Sequence, residues 1–254
     1  MAHAGDGSRQ CPERDGMVDR AQRSEKEQRA KARSVYRQLA EVYGQPTWRQ
    51  HNDPVSELVL TFLSQNTSDV NSHRAFKYLK ERYPTWDTVL AAPTEELADT
   101  IRSGGLADIK APRIQTALQH ILDERGEFSL EFLGSLPLKQ AEQYLTSLNG
   151  IGHKSAAIVL LFCFGMPVFP VDTHVHRVSH RLGIVSPKNS REHTQRTWET
   201  LVPAEAFYSL HLNLIRHGRQ VCGAAKPRCA VCVLQPHCDK YQADRSEASN
   251  SARR

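Results

Sequence analysis

Apolar residues recur three and four positions apart through most of the chain, with polar residues between them. That spacing fits the buried stripe of a helix, whereas a half-buried strand would alternate at every second residue. Val35, Leu39 and Val42 follow it in residues 24–43, and Gly44 stops the run. Pro54 opens a second stretch, 54–63, carrying Val55, Leu58, Val59 and Phe62. Residues 69–83 follow Ser68 as a candidate N-cap, turn Phe76 and Leu79 inward, and end before Pro84. Short helices fit 85–91 and 94–102. Ile114, Leu118, Ile121 and Leu122 mark 108–125, closed by Gly126. Further helices fit 137–147, 153–164, 173–182, 190–200 and 204–217. Strand patterns are weak and no internal repeat is present, so the expected class is all-α with short loops.

With 254 residues there is room for one large or two small domains. Residues 1–20 and 241–254 are rich in Gly, Ser, Arg, Asp and Glu and poor in apolar residues, which predicts disordered tails. Met1 to Arg20 holds no apolar secretion segment. The longest apolar stretch, Ala156 to Val171, is broken by Gly165, Pro167 and Pro170, so no membrane span is expected.

Six cysteines would permit disulfides in a secreted protein, but four of them form one compact set, Cys222-x6-Cys229-x2-Cys232-x5-Cys238. Pro227 and Pro236 shape the loops between them. That set points to a metal site, either zinc or an iron–sulfur cluster. Zinc ligands usually pair as two short knuckles, and here only Cys229 and Cys232 do so; the spacing therefore favours iron–sulfur. Cys163, in an apolar run, looks structural, and Cys11 has no evident partner. His174, His176 and His180 do not share a helix face in the way a metal pair would.

The formal net charge of +5 suits a polyanionic partner. Arg216, His217, Arg219, Lys226 and Arg228 cluster around the first two cysteines, where the Cys222–Cys229 loop is expected to present cations to phosphates.

Leu148-Asn149-Gly150-Ile151-Gly152-His153-Lys154 lies between two helical patterns. Glycines at Gly150 and Gly152 permit a tight hairpin whose backbone amides face outward beside a helix N-terminus, a cradle for a phosphate. Lys154 follows, and Val171-Asp172-Thr173-His174 comes after an apolar helix. Asp172 also fits an ordinary N-cap, and Gly-x-Gly alone is a common turn. A phosphate cradle, an amine and a carboxylate together suggest chemistry on a nucleic acid backbone.

Over roughly residues 25–240 the chain resembles the endonuclease III family of DNA glycosylases. The likeness rests on Leu63-Ser64-Gln65-Asn66-Thr67-Ser68-Asp69, on the glycine hairpin with Lys154, on Val171-Asp172-Thr173-His174, on His217-Gly218-Arg219 and on the four cysteines. The resemblance implies two α-helical domains flanking a DNA-binding cleft. One is a six-helix barrel with a helix–hairpin–helix, over 48–165. The other, 21–47 with 166–240, holds a [4Fe–4S] cluster on Cys222, Cys229, Cys232 and Cys238. It implies Lys154 as nucleophile and Asp172 as catalytic carboxylate. It places Gln65, Asn66, Leu106, Gly150, Gly152, His174, Lys226 and Arg228 against DNA. Leu106 matches a wedge position. The family's second gap-filling residue is a glutamine; Asn66 stands there, with Gln65 one residue earlier. Asn149 replaces a proline common in the hairpin.

The implied activity is excision of oxidised pyrimidines with cleavage at the resulting abasic site. The partner is double-stranded DNA carrying damaged bases or abasic sites, bound by a monomer in the cytoplasm (at the nucleoid, if bacterial). Related glycosylases acting on pyrimidine dimers or mismatches are the nearest alternative. Adenine glycosylases generally lack the hairpin lysine and carry a further C-terminal domain. A non-enzymatic DNA-binding module would need the glycines and the basic loop but neither Lys154 nor Asp172.

Overall fold

The computed structural model describes residues 25–251, and every regular element among them is helical. The tail expected at 1–20 and Cys11 lie outside the described residues. The helices are α1 (Glu25–Tyr43), α2 (Pro54–Ser64), α3 (Asp69–Arg82), α4 (Trp86–Ala91), α5 (Thr94–Thr100) and α6 (Ala107–Arg125). They continue with α7 (Leu138–Ser147), α8 (His153–Phe164), α9 (Thr173–Leu182), α10 (Arg191–Leu201), α11 (Phe207–Gln220) and α12 (Asp239–Ser251).

Local chemistry sets many of these boundaries. Pro54 begins α2, and the Asp53 carboxylate accepts from the Ser56 N–H at 2.9 Å. Ser68 caps α3 and Ser190 caps α10 in the same way. Gly126, Gly165 and Gly183 close α6, α8 and α9 in left-handed conformation. Leu39 faces the core as its spacing predicts, but Val42 is 50% exposed, while the neighbouring Tyr43 is the residue that meets His217 of α11.

Two groups of helices form. In one, α2 packs on α3, α6 and α8, with α7 beside α8 and α4 and α5 against α6. In the other, α11 packs on α1 and α9, with α10 and α12 completing it. α8 is apolar on nearly every face and correspondingly buried between neighbours. Phe162 of α8 joins the groups by edge-on contacts with Tyr208 and His211 of α11. Trp48 lies over Gly165, where a Cβ would sit 3.2 Å from the ring, and donates to the Leu161 carbonyl at 2.7 Å.

The expectation of a disordered C-terminal tail is corrected: the chain remains helical through Ser251. Its described side chains past Tyr241 are exposed, so no apolar stripe announces it; Lys240 and Asp244 pair one turn apart instead. No helix among the described residues is long and apolar enough to cross a membrane.

Candidate active site and DNA-facing surface

The hairpin between α7 and α8 folds back on Ile151, whose side chain is buried. Gly150 has φ +91, and a Cβ there would meet Phe62 at 3.1 Å and Arg113 at 3.0 Å. Glycine is therefore required both for the backbone and for the space. Gly152 has a φ of −100°, serves as the N-cap of α8, and faces open space, since a Cβ there would meet nothing. No side chain caps α8, so its first-turn N–H groups call for acceptors from outside the helix.

Lys154 is the second residue of α8 and is half-buried. Burial lowers its pKa from the ordinary lysine value; the charges of Asp172, Asp69 and Glu57 oppose that shift. Three carboxylates thus act on one amine through their charge. Asp172 arrives from α9, where it accepts from the Val175 N–H at 2.7 Å through Oδ1. The N-cap does not exhaust the residue: one oxygen caps the helix, while the charge of the carboxylate opposes the lowering of the Lys154 pKa. Glu57 is buried on α2 and accepts from Asn52 at 2.8 Å. Sequence alone did not single it out, because it occupies a polar gap within an apolar helix.

His217-Gly218-Arg219 divides its work three ways. The buried His217 meets Tyr43 Oη at 3.1 Å and Cys232 Sγ at 3.5 Å, and burial pushes its pKa to about 4. Gly218 admits His174, whose Cβ would lie only 2.9 Å from a Cβ added there. Arg219 grips Asp69 at 2.7 and 2.9 Å. The basic cluster expected around the cysteines is corrected accordingly. Arg219 is ion-paired, His217 is buried, and Arg216 stacks on Tyr43 with its guanidinium 5.0 Å from the ring centre. Lys226 and Arg228 remain exposed on the Cys222–Cys229 loop. His174 is half-buried and bonded to Arg177 at 3.1 Å, with its pKa lowered chiefly by burial.

Gln65 does not project as a free side chain; it donates to the Gly150 carbonyl at 2.9 Å and braces the hairpin. Asn66 and Leu106 are both exposed. Leu106 keeps 51% of its surface in solvent.

Cys222, Cys229, Cys232 and Cys238 line one small cavity with Val221, Pro227 and Tyr241, and none is in a disulfide. Burial pushes Cys232 up to about 11, with added repulsion from the other three. Four neighbouring thiolates in such a place need cationic charge among them, which is the chemistry of a metal centre. They surround a cavity; among the described residues no three metal-binding side chains converge on a single ion position. Arg181 holds the loop by donating to Cys222 Sγ at 3.2 Å, Gly223 O at 2.7 Å and Ala224 O at 2.8 Å. No local pattern in the sequence points to Arg181, which lies on α9 and is separated from Cys222 by α10 and α11.

A family model described as HhH-GPD superfamily base excision DNA repair protein matches residues 59–204, the stretch that carries the hairpin, Lys154 and Asp172. The chain belongs to this superfamily. Among HhH-GPD relatives, endonuclease III of Bacillus subtilis is 38% identical over 192 residues, covering 76% of this chain and 84% of that protein. Endonuclease III of Thermotoga maritima is 34% identical over 197 residues, covering 78% and 88%. The structure of a trapped endonuclease III–DNA covalent intermediate superposes with a TM-score of 0.75 at 30% identity, covering 85% of this chain and 98% of that one. Superfamily membership together with the endonuclease III relatives identifies the protein as a DNA glycosylase/AP lyase of base excision repair.

Proposed function

We propose that this glycosylase/AP lyase excises oxidised pyrimidines from double-stranded DNA as a monomer, with Lys154 as nucleophile and Asp172 as electrostatic partner. One observation carries the assignment: a half-buried amine at the start of α8, with its pKa lowered, beside the Asp172 carboxylate. Lysine attacks only when neutral, and burial supplies that form nearer neutral pH. As the glycosidic bond breaks, its electron pair leaves with the base and positive charge grows on the sugar. A carboxylate next to that carbon stabilises it. The Lys154 nitrogen bonds to C1′ and loses one proton; the C1′–O4′ bond then breaks, O4′ takes up a proton, and the nitrogen lone pair forms an iminium that keeps its remaining proton. The C2′ proton is then acidic; its removal expels the 3′ phosphate and breaks the strand.

The target base must leave the stack to reach this site. Leu106 and Asn66, both exposed, are the candidates to fill the gap. The uncapped start of α8, the Gly150 hairpin and the Lys226–Arg228 loop supply phosphate contacts, which position the duplex without reading sequence. Likeness to endonuclease III supports oxidised pyrimidines as substrates.

The four-cysteine cavity fits a [4Fe–4S] cluster held by Cys222, Cys229, Cys232 and Cys238, with Arg181 and His217 directed at the sulfurs. Its role is structural, fixing the loop that carries Lys226 and Arg228. Excision and elimination need no electron transfer.

The test is borohydride trapping on abasic duplex. Wild-type protein should give a stable covalent adduct, and Lys154→Ala should give none while still binding DNA. Adduct at wild-type yield in Lys154→Ala would remove the assignment.

A further inference from the structure

Lys110 of α6 is 2% exposed, among the largest fully buried side chains of the protein. Its ammonium donates to the Leu63 carbonyl at 2.7 Å and to the Gly104 carbonyl at 2.7 Å. Leu63 lies in the last turn of α2, where carbonyls lack helical partners and a cation is favoured by the helix dipole. Gly104 ends the short 3-10 turn Arg102–Gly104. Each carbonyl stands shortly before a loop tip: Ser64 and Gln65 separate Leu63 from Asn66, and Gly105 separates Gly104 from Leu106.

Those two tips share a property. Asn66 and Leu106, with φ of 54° and 52°, are the non-glycine residues with left-handed backbone among the described residues. A residue with a Cβ adopts that conformation at a cost of about 1–2 kcal/mol, and keeps it only where its surroundings impose it. Asparagine tolerates it through local hydrogen bonding; leucine has no such help. The loops also touch. A Cβ on Gly104 would lie 3.2 Å from the Ala75 Cβ and 3.7 Å from the Leu63 carbonyl, and one on Gly105 would lie 4.0 Å from Thr67 Oγ1. Burial pushes Lys110 down to about 8, while the two carbonyls that accept from it favour the charged ammonium.

We propose that Lys110 is a positioning residue for base extrusion, tying the Asn66 and Leu106 loops to one rigid mount. This rests on the assignment of Leu106 and Asn66 as gap fillers. A lysine that merely satisfied two buried carbonyls would affect the amount of folded protein and nothing else.

Single-turnover excision of an oxidised pyrimidine from duplex DNA is compared with cleavage at a preformed abasic site in single-stranded DNA, where no base must leave a stack. Lys110→Met should lower the first at least about tenfold relative to the second, within the range caused by small misplacements of a working group. Lys110→Arg, which keeps donors for both carbonyls, should recover part of the loss. Added to Leu106→Ala, Lys110→Met should cost far less than it does alone, because the tip it holds is already blunted. Equal loss in both assays, or full additivity with Leu106→Ala, would overturn the proposal. If Leu106→Ala leaves duplex excision intact, the wedge assignment itself falls, and with it the premise. Should Lys110→Met fail to fold by helix content, Lys110→Gln supplies the same comparison.

Discussion

Asp69 and Arg219, 150 residues apart in sequence, form a two-point ion pair that joins the start of α3 to the end of α11 across the site. Both side chains are about half exposed, so the pair contributes on the order of 0.2–1 kcal/mol to stability. Its larger consequence is electrostatic. Asp69 acts on Lys154, and Arg219 holds the Asp69 carboxyl below the usual carboxylate range. The stabilisation from that lowered pKa is full above the ordinary value near 3.8 and fades as pH falls through the folded one, so it is complete at neutral pH.

Arg219→Ala should leave the Asp69 charge unneutralised beside Lys154, raise the amine's pKa and move the acidic limb of the lyase pH–rate profile to higher pH. Asp69→Asn should move that limb the other way. Single-turnover trapping rates from neutral to alkaline pH test the pair of shifts. Movement of both variants in one direction would show that Asp69 does not set the amine's proton affinity.

Asp172 carries two roles that substitutions can separate. Asparagine caps helices as well as aspartate does, so Asp172→Asn should leave the melting temperature nearly unchanged while excision falls about 10²-fold or more. Asp172→Ala should match that catalytic loss and cost about 1 kcal/mol of stability besides. Normal excision per folded molecule in Asp172→Asn would reduce the residue to its cap.

The exposed cations Lys226 and Arg228 should hold phosphates. Replacing both with alanine should weaken binding to damaged and undamaged duplex alike and flatten the slope of log affinity against log salt by about two. Leu106→Ala should lower lesion-specific binding with the slope unchanged. A shared loss of the salt-dependent component would contradict this division.

Purified protein should be yellow-brown and carry about four irons per chain. Removal of the iron by oxidation and chelation should loosen the Cys222–Cys238 segment and with it the grip of Lys226 and Arg228, lowering DNA affinity more than the helix content of α2 to α8. Stoichiometric zinc without iron in anaerobically prepared protein would refute the cluster assignment.

Sequence by itself determined the helices α1 to α11, the hairpin and the cysteine set, but not α12, whose exposed side chains leave no apolar stripe to read. Those are local matters: periodic apolar positions, caps such as Ser68 and Gly126, and fixed spacings act over a few residues whatever the rest of the chain does. Residue identity also placed Lys154 after the glycines. What the tertiary structure decided was which charges meet. Arg219, grouped by proximity with a phosphate-binding cluster, turned to Asp69, and Arg216 and His217 turned to Tyr43. Glu57 and Lys110, unremarkable as letters, became a buried carboxylate beside the amine and a buried amine beneath two loops. A charged side chain has no preferred partner until folding fixes which opposite charge or carbonyl lies within reach and how much water remains between them. That information resides in contacts between distant segments, and no local pattern carries it.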